Sequence, residues 1–155
     1  MSFDNKAQSV SSADSAADRA AELFSKGLKW SQAVVCAFAD EFGMDAETAA
    51  RISSGLGGGV GRMREVCGAV TGATLVLGML LGPDKDAVYP AVQELCAKFK
   101  SENGSVVCRE LLAGTGATVG GAAEKRTAEY YRKRPCVELV RCAAKLLEEA
   151  RKCSR

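Results

Sequence analysis

Histidine is absent from the 155 residues of this chain. That removes the Ser–His and Cys–His pairs of nucleophilic catalysis, imidazole zinc sites and His-ligated haem. Any metal must sit on thiolates or carboxylates. No CxxC occurs either, so a local thioredoxin-type dithiol and a zinc ribbon are excluded, as is the C-x₂-C-x₂-C run of ferredoxins. Neither sign of charge dominates: Lys+Arg is 21 and Asp+Glu is 19. This balance argues against a dedicated nucleic-acid or anionic-membrane binder. Residues 66–82 carry no charge, but they hold four glycines and fall short of the about 20 strongly apolar residues of a membrane span. They are read as a buried central helix. The opening residues are polar and acidic, without the apolar stretch of a secretory signal. The expected compartment is therefore the reducing cytoplasm, where cysteines persist as free thiols.

What is present is helical periodicity. Ala17, Ala20, Ala21 and Phe24 recur at three- and four-residue spacing, from a start near Ser12 to a stop at Gly27. Residues 29–42 read as a second helix, with Gly43 as its C-cap signal, and Asp45 is an N-cap for a third ending near Ser53. The glycine-rich loop GLGGGVGR follows at 55–62. It is not a nucleotide fingerprint, because no strand precedes it. Further helices are expected at 66–81, 85–100 (kinked or started late by Pro90), 108–112, 124–134 and 136–152. Residues 113–123 form a second glycine-rich loop. No segment alternates as a strand does. The expected architecture is all-α: a single multi-helix bundle over 12–155 around a Gly/Ala-rich central helix, with residues 1–11 disordered.

Seven cysteines remain, an odd number that cannot all pair within one chain. Cys67, Cys108 and Cys136 each fall at an expected helix start. Partial positive charge and free N–H groups there stabilise a thiolate, so a lowered thiol pKa is expected, above all at Cys67. Gly68 and Gly72 strip the side chains from one face of the helix after Cys67, so another backbone or a cofactor can approach. Cys96 falls on an apolar stripe and reads as core. Cys36 reads as core or spare ligand. Cys142 lies about 120° around the helix from Cys136, and Cys153 reads as a tail residue.

Several segments resemble the C_GCAxxG_C_C family: Gly27 to Val34, Ser53 to Arg62, Val66 to Ala73, Asn103 to Ser105 with Cys108 to Leu112, and Pro135-Cys136. The resemblance implies a small redox-active protein and matches Cys67, Cys108 and Cys136 to three family cysteines. Trp30 stands where the family has its first cysteine. Three readings follow. The first is a thiolate-ligated metal centre on Cys67, Cys108 and Cys136, an iron–sulfur cluster for electron transfer or sensing, with Cys36, Cys142 or no residue as fourth ligand and Gly68 and Gly72 giving it room. The second is metal-free thiol chemistry, in which Cys67 attacks and Cys108 or Cys136 resolves. The third is a non-enzymatic helical scaffold or dimer with core cysteines. No haem and no nucleotide are expected. A redox partner protein and a homodimer are the partners considered, with no nucleic acid and no membrane.

Overall fold

Polar caps start the helices where the sequence places them. The computed structural model describes residues 15–153, so the expected disorder of 1–11 and the helix start at Ser12 lie outside the described residues. Ser15 caps α1 (Ala16–Ser25), its side chain accepting from Asp18 N–H. Asp45 caps α3 (Ala46–Ser53) by accepting from Thr48 N–H at 2.8 Å. Between them runs α2 (Trp30–Phe38). The single helix expected over 29–42 ends early, because residues Ala39–Phe42 tighten into a 3₁₀ turn closed by Gly43 at φ 61°.

The chain then continues through α4 (Gly68–Leu81), α5 (Lys85–Asn103), α6 (Cys108–Leu111), α7 (Ala128–Lys133) and α8 (Cys136–Cys153). The described residues thus form eight α-helices, and the all-α reading stands. Helix α5 starts at Lys85 and carries Pro90 within it. Helix α7 begins four residues later than expected, because Glu124 is held elsewhere by arginines.

Helix α4 is central as expected. Its Gly68, Ala69, Val70, Gly72, Ala73, Val76 and Leu77 are buried, and it packs against α2, α8 and α5. Helix α1 packs on α8 and α2, which brings the two ends of the described chain together. Phe24, Phe38, Phe99, Leu77 and Leu147 are wholly buried. Burial stabilises each by about 1.5–3 kcal/mol. At the α2–α4 crossing, a Cβ on Gly72 would stand 2.9 Å from Ser31 O and 3.0 Å from Ser31 Cα. The glycine is needed for contact between helices.

The loop before α4 is the least ordinary part of the backbone. Five consecutive residues, Gly58, Gly59, Val60, Gly61 and Arg62, have φ between 54° and 69°, and Arg64 has φ 60°. A left-handed conformation costs an L-residue about 1–2 kcal/mol. Backbone bonds hold it: Gly61 N–H donates to Gly55 O at 2.8 Å and Glu65 N–H to Gly59 O at 3.0 Å. The loop then feeds an isolated antiparallel bridge, Val66 to Val107. Cys67 N–H donates to Val106 O at 2.8 Å, and Cys108 N–H donates to Glu65 O at 2.6 Å.

Candidate functional site

That bridge positions the first two cysteines. Side chains alternate along extended backbone, so Val66 points outward, 37% exposed, while Cys67 and Cys108 share the inward face. They are diagonal neighbours, a relation that puts Cα atoms about 7–8 Å apart. Helix α8 brings Cys136, its first residue, to the same place. Cys67, Cys108 and Cys136 are buried, and all are free thiols. With Trp30, Gly58, Gly59, Gly68 and Leu112 they line one cavity of about 10 Å³.

The helix-start argument is correct in kind but loses in magnitude at Cys67. This residue is the N-cap of α4. Burial pushes its thiol up to about 12, and the Ala69 and Val70 N–H groups only partly offset that. The expected depression is overturned: taking a thiolate out of water outweighs the helix end. Burial likewise raises Cys136, opposed first by the Trp30 indole N–H and then by Arg134. Cys108 has a cation beside it, since Arg64 Nη1 lies 3.9 Å from its sulfur.

The unfolded chain titrates Cys67 near the ordinary value of 9.0, and the folded chain near 12. The native state therefore holds one proton more between those values. Stability from this thiol is whole below pH 9 and falls as pH rises toward 12, by about 1.4 kcal/mol per pH unit. Burial raises Cys36 to about 12 as well, so stabilities from urea denaturation between pH 8 and pH 11 should fall at least this steeply. Cys67→Ala should make the slope shallower by about one proton's worth. An unchanged slope in the variant would show that another group carries it.

The remaining cysteines lie apart. Neither Cys36 nor Cys142 lines the thiol cavity. Cys36 Sγ donates to Ala46 O at 3.8 Å. Cys142 Sγ accepts from Asn103 Nδ2 at 3.3 Å and lies beside Glu102. Cys96 is partly buried and packs against the core, and Cys153 is exposed. The donor set suits a soft metal, since three thiols converge. The space does not: about 10 Å³ admits roughly one water, and among the described residues no group of three or more Cys, Asp or Glu side chains is arranged to hold a metal ion. Gly68 gives no spare room. A Cβ on it would meet Leu56 O at 3.0 Å and Trp30 Cβ at 3.2 Å. Gly72 faces Ser31 and lies outside the cavity. As folded, these residues do not fit a cluster.

Trp30 also walls a second space. On its other side lies a cleft of about 210 Å³, lined by Lys29, Trp30, Arg62, Arg64, Glu124, Arg126 and Tyr130 with glycines of both loops. Glu124 is the hub. Arg134 Nη1 stands 2.6 Å from its carboxylate, Arg62 Nη2 3.2 Å and Arg64 Nη2 3.7 Å. The Arg134 hydrogen bond is the main reason its carboxyl lies below the usual range. Arg126 donates to Phe24 O and Leu28 O at the end of α1 and lies over the Phe24 and Trp30 rings. Sequence reading missed every charged residue of this cleft. The only local sign was the position of Arg62 and Arg64 just after the glycines.

An all-α chain with three thiols gathered at helix starts is the class of protein these observations define. The model of the C_GCAxxG_C_C family, described as redox-active, matches residues 28–150, and the chain belongs to that family. Comparison with curated proteins and with solved structures returns no match. Among the described residues no helix is long and apolar enough to cross a membrane.

Proposed function

We propose that this redox-active chain works by metal-free thiol–disulfide exchange, with Cys108 and Cys67 as the exchanging pair. The observation that carries the reading is the Val66–Val107 bridge, which sets both thiols on one inward face with the Arg64 guanidinium on the Cys108 sulfur. The order differs from the one expected from sequence. Cys108 attacks first, because its anion has a counter-charge and that of Cys67 has none. Cys108 is buried in the closed cavity, so the cavity wall must first open. Its thiolate then attacks a disulfide of a small molecule or partner protein, forming a mixed disulfide and releasing one partner thiolate, which takes up a proton. Cys67 then loses its proton and attacks the Cys108 sulfur. The second partner thiol leaves. Two protein thiols are oxidised to one disulfide and one partner disulfide is reduced to two thiols. A disulfide spans about 4.4–6.8 Å between Cα atoms, so closure draws the two cysteines together across the bridge. Cys136 stands beside the pair as a further thiol.

The test is oxidation with oxidised glutathione, followed by non-reducing digestion and mass mapping. A Cys67–Cys108 link that dithiothreitol reverses, and that Cys108→Ser abolishes, is expected. An iron–sulfur centre on Cys67, Cys108 and Cys136 is the rival reading, supported by the convergence of the three sulfurs. It requires Trp30 to move aside. Stoichiometric iron and sulfide in anaerobically purified protein, lost in Cys67→Ser, would replace thiol exchange with that reading.

A further inference from the structure

The cleft beside Trp30 has more positive charge than the fold consumes. Lys29, Arg62, Arg64 and Arg126 face one carboxylate, Glu124. Arg64 is only 2% exposed. Its Nε donates to Thr118 O at 2.8 Å, but Nη2 has no hydrogen-bond partner and only the 3.7 Å ion pair to Glu124. The Tyr130 hydroxyl, buried in the same lining, has the Arg134 guanidinium beside it but donates its own proton to no acceptor. Buried donors left unmade are costly and rare. The loop amides of Val60, Gly61, Arg62, Arg64 and Glu65 all bond to backbone carbonyls, so recognition here falls to side chains.

We propose that this cleft binds a small organic ligand through a multiply charged oxyanion group, carboxylate or phosphate. The guanidinium and ammonium groups take the oxygens, the Tyr130 hydroxyl donates a further bond, and the ligand body lies against the Trp30 ring across the cleft from side-chain-free glycines. A volume of about 210 Å³ sets the size at a metabolite, below the usual range for a drug-sized ligand. The ligand would touch Trp30, which also lines the thiol cavity, and the Arg64 guanidinium, which reaches the Cys108 sulfur. The proposal stands on the cleft alone and holds whether or not Cys67 and Cys108 pair.

The test is calorimetric titration of the reduced full chain with citrate and, separately, with pyrophosphate, at low ionic strength where screening is weak. Emission from Trp30, the only tryptophan in the chain, locates the event. Saturable binding of at least one probe with a change in Trp30 emission is expected, and which probe binds tighter tells carboxylate from phosphate. Lys29→Glu, at an exposed position, should weaken it at least tenfold. Lys85→Glu changes net charge equally outside the cleft and should leave it unchanged. Neither probe binding above a chloride control of equal ionic strength would overturn the proposal. So would equal weakening by the two variants, or calorimetric binding that leaves Trp30 emission unmoved.

Discussion

Gly59→Ala should cost about 2–5 kcal/mol of stability, from the left-handed backbone penalty plus overpacking. Gly59 sits at φ 69°, and a Cβ there would stand 2.7 Å from Cys108 Cβ and 2.7 Å from Glu65 N. Neither neighbour is the end of a flexible side chain. Cys108 is fixed by the bridge, and Glu65 N–H is bonded to Gly59 O itself. The substitution therefore drives into the pairing that aligns Cys67 with Cys108. Gly61→Ala is the matched comparison. Its φ is 54°, and nothing lies within 4 Å of the added carbon, so only the conformational cost of about 1–2 kcal/mol remains. Urea denaturation with unchanged slope reads the difference. Equal losses in the two variants would mean that the crowding at Cys108 costs nothing and that the thiol cavity is looser than described.

Glu124→Gln should cost about 2–4 kcal/mol, within reach of the penalty for breaking a buried pair and reduced for partial exposure of the carboxylate. Three guanidiniums lose their shared counter-ion at once. One of them, Arg64, cannot turn to water. The expected pH behaviour follows from the lowered Glu124 carboxyl, held down first by Arg134. Stability from this group is present above the ordinary carboxylate pKa and is lost as pH falls through the depressed folded value. The variant should thus lose stability at pH 7 and show a weaker acid dependence between about pH 5 and pH 3. Glu129→Gln removes an exposed i,i+4 pair with Lys133 and should cost no more than about 0.5 kcal/mol. If the two glutamines were equally mild, the arginines would be finding water or each other's backbone instead.

The helices were legible because their signals are local. The uncharged run gave α4, Asp45 gave the start of α3, and the apolar stripe gave α8. The three cysteines at helix starts were legible for the same reason. What escaped the sequence was tertiary. The expected helix over 124–134 lost its first turn because Glu124 answers to Arg62 and Arg64, some sixty residues earlier, and no periodicity records such a partner. The depressed Cys67 thiol failed because burial is decided by α2, α6 and α8 closing over it. Gly68 and Gly72 signalled close approach, and backbone atoms and Trp30 are the protein groups that come close.

The meeting of α1 with α8 has a kinetic consequence. The thiol cavity draws Trp30 from near one end of the described chain, the Gly58 loop and Cys108 from its middle, and Cys136 from the last helix. Contacts so distant in sequence form late and carry the entropy of closing long loops. The site has no autonomous fragment. In the unfolded chain Cys67, Cys108 and Cys136 are separate and open to solvent, and folding buries all three.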